Sequence, residues 1–194
     1  MNTICMKVSV YASVLLFAVL STNAQSELLN QQSTDKRGNP MLVGTCTRDA
    51  LLEAPYKEWF APNFESYTVD SATCRMIAPI LHDKQILLFM GTWCGDSKRE
   101  VPRMLKILDC CGFPMDQLQL VMVSNQDSAY KQSPQHEEQG RKIVRVPTLI
   151  ILDHGDETGR IIEYPVVTLE KDLLSILRKE HYVPNYGETI QKAR

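Results

Sequence analysis

Apolar positions change their period along this chain, and the changes mark out its elements. Ile86-Leu87-Leu88-Phe89-Met90 is a continuous apolar run, the pattern of a strand buried on both faces. Over 97–110, Val101, Met104, Leu105, Ile107 and Leu108 fall at helical spacing. Gly112 and Pro114 then stop the helix. Residues 118–124 predict a second buried strand, 148–152 a third and 160–164 a fourth, with His154-Gly155-Asp156 turning an antiparallel hairpin. The polar stretch 126–140 between them reads as a loop, with a short helix around 134–141. A closing helix over 169–180 carries Leu173, Leu174, Ile176 and Leu177 inward. Strand, helix, strand, helix, strand, strand, helix is the order of an α/β fold with a central mixed sheet flanked by helices.

The first third of the chain has a different pattern. Leu51, Leu52, Tyr56, Trp59, Phe60, Phe64 and Tyr67 recur at spacings of three and four, which predicts an amphipathic helix over 49–67. Pro55 and Pro62 must sit near helix starts or break it into pieces. This aromatic stripe is read as a face packed on the sheet, with a recognition surface as the alternative. A second helix is expected over 71–83, kinked at Pro79, and the polar stretch 26–40 reads as a flexible lead-in. Ahead of it, Lys7, the apolar run 8–20 and the small residues before Ala24 form the pattern of a cleaved export signal. That apolar run is short of the roughly 20 residues a membrane span needs. The chain is therefore expected to be exported, to the periplasm or the extracellular space, and to carry no membrane segment after cleavage; a retained anchor is the alternative.

Composition narrows the chemistry mainly by exclusion. The 194 residues suit one domain with an extension, and 44% hydrophobic with 23% charged residues suits an ordinary packed core. A net charge of −2 offers no basic surface for nucleic acid. His82, His136, His154 and His181 are scattered without metal-ligand spacing, so no metal is expected. No glycine-rich phosphate loop is present, no cofactor is expected, and Glu137-Glu138 reads as a solvated face.

Cysteine carries the remaining signal. Of the six cysteines, Cys5 would leave with the signal, and Cys46, Cys74, Cys94, Cys110 and Cys111 remain. An odd number in an oxidising compartment leaves at least one thiol without an internal partner. The sequence does not fix the pairing: a Cys46–Cys74 bridge across the N-terminal segment is one candidate, and adjacent Cys110 and Cys111 rarely bond to each other because the intervening peptide strains the ring. Cys94 stands between a predicted strand and a predicted helix, where helix N–H groups favour an anion and so a reactive thiolate. Lys98 and Arg99 add positive charge, Asp96 opposes it, and Ser97 is three residues on, within reach of the sulfur. Trp93 supplies an apolar wall beside it.

At these positions the chain resembles the thioredoxin superfamily. Trp93-Cys94-Gly95-Asp96-Ser97 stands where that family has tryptophan, cysteine, two variable residues and a second cysteine. Pro102 matches the proline of the family's active-site helix, and Val146-Pro147-Thr148 looks like its cis-proline signature. The resemblance covers roughly 85–180. It implies a thioredoxin-like domain over 85–182; the partly helical extension over 25–84 and the tail over 183–194 fall outside it. It implies that Cys94 is the nucleophile, that Ser97 with the helix N-terminus steadies its thiolate, and that Trp93, Val146 and Pro147 meet the substrate. The implied activity is thiol–disulfide exchange on protein thiols or disulfides, of reductase or isomerase type, and the alternative is a redox-inactive scaffold. Ser97 in place of the second cysteine leaves a single-thiol site. Release then requires a substrate thiol, a small external thiol, or Cys46 or Cys74 from the extension. Cys110 and Cys111 lie about four helical turns away, out of reach.

Overall fold

The computed structural model describes residues 29–192. The signal segment 1–24 with Cys5, and the last two residues of the tail, lie outside the described residues. Six strands form one mixed sheet in the order β1-β2-β4-β3-β5-β6. They are β1 (Gln31–Thr34), β2 (Pro40–Cys46), β3 (Gln85–Met90), β4 (Leu118–Met122), β5 (Thr148–Asp153) and β6 (Asp156–Ile162). The helices are α1 (Lys57–Ser66), α2 (Ser71–Leu81), α3 (Gly95–Cys110), α4 (Leu169–Leu177) and α5 (Gly187–Lys192). β3 and β4 are parallel, joined through α3, and the other neighbours are antiparallel.

Alternation along the central strands divides the core in two. Ile86, Leu88 and Met90, with Leu120, Met122, Leu149 and Ile151, join residues of all four longer helices in one large cluster. Leu87, Phe89, Val121, Val123, Ile150 and Leu152 point the other way, where Val146, Trp93, Cys94 and Ile143 pack on them. Both faces are thus covered, which is why the strands read as unbroken apolar runs. The second face is covered by the segment 124–146, which holds a 3-10 turn at Asp127–Ala129 and a series of turns. The helix expected around 134–141 is absent there, since the backbone is committed to local turns and to side-chain bonds described below.

The extension corrects the expectation most. Residues 26–40 were expected to form a flexible lead-in, yet β1 and β2 make a hairpin that continues the main sheet through the β2–β4 pairing. Asp35 closes the hairpin by accepting the Arg37 and Asn39 N–H groups, both at 2.8 Å, while Gly38 takes φ 84°. Hydrogen bonds from Asn39, side chain first, hold the Asp35 carboxyl below the ordinary aspartate range. Met41, Leu42 and Val43 of β2 are buried. The helix expected over 49–67 is broken as its prolines require, into a 3-10 turn (Arg48–Leu52) and α1.

The aromatic stripe packs inward. Tyr56 and Phe60 are buried, and the outer residues of α3 cover the rest through cation–π contacts. Lys98 lies 5.9 Å from the Trp59 ring, Lys106 lies 5.4 Å from Phe64, and Arg103 lies 5.5 Å from Tyr67. Residue 112 ends α3 as expected: Gly112 takes φ 64°, and the Phe113 N–H reaches back to the Leu108 carbonyl at 3.0 Å. β6 begins earlier than expected, because Asp153 already pairs with Asp156 around a two-residue turn. His154 (φ 52°) and Gly155 (φ 92°) supply the two positive angles that such a turn takes.

Candidate active site

β3 and β5 are antiparallel neighbours, with Phe89 opposite Thr148, so the end of β3 lies beside the start of β5. This register brings residues 94 and 146 together. The chain leaves β3 at Met90, and Cys94 becomes the N-cap of the 16-residue helix α3, with φ −88° and ψ 127°. Its N–H donates to Gly91 O at 2.9 Å, and its carbonyl accepts from Lys98 N–H at 3.0 Å. Backbone bonds on both sides thus fix the residue at the positive end of the helix dipole. The half-buried Cys94 thiol donates to Val146 O at 3.3 Å. Val146 is 3% exposed, and the Val146–Pro147 peptide is cis. Glu163 N–H holds Pro147 O at 2.7 Å, and Thr148 Oγ1 donates to Arg145 O at 2.7 Å.

Trp93 folds back over the turn. Its Nε1–H donates to Val123 O at 2.8 Å, and its ring lies 6.3 Å from that of Tyr130, which is half exposed. A side chain at position 91 would place Cβ 2.5 Å from Trp93 Cε2 and 2.6 Å from Nε1. Gly91 is therefore a requirement of the indole position. Gly91→Ala is expected to cost about 1–3 kcal/mol through overpacking. Urea unfolding would measure this cost, and an unchanged midpoint would show that the indole can sit elsewhere.

Ser97 has a different partner from the one expected. It is 0% exposed, and its Oγ accepts the Gly91 N–H at 3.3 Å, tying the first turn of α3 to the end of β3. The expected positive charge is also engaged elsewhere. Lys98 lies over Trp59, and Arg99 pairs with Asp96 at 2.9 Å and with Glu100 at 2.6 Å. The extension cysteines do not supply a second thiol at this site. Cys46 belongs to the helix-covered face of the sheet while Cys94 packs on the other. Cys74 interacts with Cys110 and Cys111 at the opposite end of α3. Cys46 and Cys74 form no bridge, and the five cysteines among the described residues are free thiols.

Several supporting residues carry no signal of their own in the sequence. Thr92 is buried and its Oγ1 accepts the Leu42 N–H at 3.2 Å, linking β2 to the turn that carries Cys94. Glu137 and Glu138, expected to be solvated, are bound into the covering loop. Thr45 Oγ1 donates to Glu137 at 2.8 Å, Ser133 N–H donates to Glu138 at 3.0 Å, and the Ser133 hydroxyl lies between the two carboxylates. Burial works against the Glu138 carboxylate, but the Ser133 hydrogen bonds outweigh it and keep its pKa below the ordinary glutamate value. Lys131 Nζ donates to Val144 O at 2.5 Å and closes the same loop toward Val146. Among the described residues, no group of three or more His, Cys, Asp or Glu side chains is placed to hold a metal ion. No described helix is long and apolar enough to cross a membrane.

No family model matches this chain, and no curated protein does. Two solved structures are similar over 73% of the chain and 87% of their own lengths, each at 16% identity. One is a protein of unknown function from Pseudomonas aeruginosa, at a TM-score of 0.44. The other is an HIV epitope scaffold, at 0.42. The class that the structure itself defines is an α/β protein with a six-stranded mixed sheet flanked by helices.

Proposed function

We propose that this chain is an exported thioredoxin-like protein of single-thiol type, in which Cys94 carries thiol–disulfide exchange on protein thiols. The observation that carries this reading is the Cys94 sulfur at the N-cap of α3, facing the Val146 carbonyl just before Pro147. In this arrangement the Cys94 sulfur faces the backbone just ahead of β5, which an extended substrate segment can follow. Trp93 and Tyr130 form the apolar wall beside it. A substrate sulfur that approaches Cys94 takes the place of the bond the thiol now makes to Val146.

The chemistry runs in two exchanges. The Cys94 thiolate attacks one sulfur of a substrate disulfide R–S–S–R′, forming Cys94–S–S–R and releasing R′S⁻, which takes up a proton. In isomerisation, another thiolate of the substrate then attacks the R sulfur, forms a new substrate disulfide and returns the Cys94 thiolate. In reduction, a small external thiolate attacks the Cys94 sulfur and releases RS⁻. A second equivalent then frees Cys94 as the small thiol becomes its own disulfide. Ser97 is a positioning residue here, holding the Gly91 backbone beneath the cysteine.

A redox-inactive binding protein is the second reading. It is favoured by the absence, among the described residues, of a resolving thiol beside Cys94, since Ser97 is buried and hydrogen-bonded to Gly91. Substitution at position 97 separates the two. Residues three apart share a helix face, so Ser97→Cys places a resolving thiol next to the Cys94 sulfur. In its pre-reduced form the variant is expected to reduce a protein disulfide stoichiometrically without any small thiol, about 10-fold faster than the wild type does alone. Wild-type protein is expected to need the external thiol. If neither protein reduces the substrate, with or without a small thiol, the binding reading replaces the exchange reading.

A further inference from the structure

Three cysteines meet where α2 packs against the far end of α3. Cys74 on α2 is 1% exposed and Cys111, the C-cap of α3, is 7% exposed; both belong to the helix-side core. The Cys74 thiol interacts with those of Cys111 and Cys110. Burial first, then these neighbours, pushes its pKa well above the ordinary cysteine value. Burial also raises that of Cys111, against a hydrogen bond with Cys74. Cys110, the last residue of α3, is exposed. The group is separate from Cys94, which stands at the opposite end of this 16-residue helix, about 24 Å away at 1.5 Å per residue.

The three thiols differ in the roles open to them. Cys110 alone faces solvent and meets a reagent first. Cys111 is its chain neighbour and a strained partner for it. Cys74 touches both. We propose that Cys110 and Cys74 form a second redox site, a dithiol that closes into a disulfide tying α2 to the end of α3, with Cys111 left as a buried thiol. The co-reactant is a low-molecular-weight disulfide. The Cys110 thiolate attacks it, forming a mixed disulfide on Cys110 and releasing one small thiol. The Cys74 thiolate then attacks the Cys110 sulfur, forms Cys74–Cys110 and releases the second small thiol. Two protein thiols are oxidised, one small disulfide is reduced, and both protons pass to the released thiols. The second step is slow, because Cys74 is buried as a thiol.

Closing a loop of about 37 residues restricts the unfolded chain, and the expected rise in Tm is roughly 10 °C. The test uses the full chain in oxidised glutathione, digested with trypsin without reduction and mapped by mass spectrometry. Cys74 falls in the fragment 58–75, Cys110 and Cys111 in 107–131, and Cys94 in 85–98. The expected result is a 58–75 to 107–131 cross-link that is absent from Cys110→Ser, together with a Tm rise in the wild type that this variant lacks. Because Cys110 is exposed, the variant retains its core. A wild-type chain that shows no such cross-link overturns the site. A cross-link that persists in Cys110→Ser overturns the assignment to Cys110.

Discussion

Cys94→Ala is expected to reduce protein-disulfide exchange to the uncatalysed background, a loss of roughly three orders of magnitude, with the fold intact. The structural cost is small, because the side chain is half buried and makes one thiol hydrogen bond to Val146 O at 3.3 Å. Losing a bond of that kind costs about 1 kcal/mol. Cys94→Ser sharpens the result. A hydroxyl can still donate to Val146, so positioning survives while the sulfur chemistry does not. Both variants are expected to lose exchange equally in a reductase assay supplied with small thiol. A serine variant that retains activity would move the chemistry away from this sulfur.

The largest expected effect on stability lies far from the sulfur. Phe60 of α1 is 1% exposed, 5.8 Å from the stacked Phe64 ring and 6.2 Å from the edge-on Trp59 ring. Phe60→Ala is expected to cost about 3–5 kcal/mol, a large share of the roughly 5–15 kcal/mol that holds a typical domain. The same substitution tests whether the extension is part of the core. Residues of β2, α1 and α2 share one cluster with β3, α3 and α4, so unfolding in urea is expected as one transition shifted to lower midpoint. A loss below 1 kcal/mol, or an early separate transition, would mark α1 as an appendage.

How much of this was legible in the sequence depended on how far each feature reaches along the chain. β3 and α3 were legible because an unbroken apolar run and a regular helical stripe are local patterns. The β1–β2 hairpin was not. Gln31–Thr34 is wholly polar, and the Asp35 turn that closes it is a matter of hydrogen-bond geometry. The strength of β2 comes from pairing Gly44 with Met122 and Cys46 with Leu120, far away in sequence. At the site, the meeting of Cys94 with Val146 was anticipated only through a resemblance; in the fold it follows from the β3–β5 register. The Ser97 partner was not legible, since the donor is a backbone N–H in a turn. The sequence likewise does not show that Cys74 interacts with Cys110 and Cys111 instead of Cys46.

The central claim is that the fold turns Cys94 into a nucleophile, and the alkylation rate measures this directly. Reduced full-length protein would be pulsed with iodoacetamide at neutral pH, folded and in urea, and Cys94 followed through the tryptic fragment 85–98. Cys94 is expected to react about 10-fold faster in the folded chain than in the unfolded one, because its half-buried sulfur is fixed at the N-cap of α3, where helix N–H groups stabilise the negative charge that develops as it attacks. A folded-state rate equal to or below the unfolded rate would contradict the claim and leave Cys94 a resting thiol held by Val146.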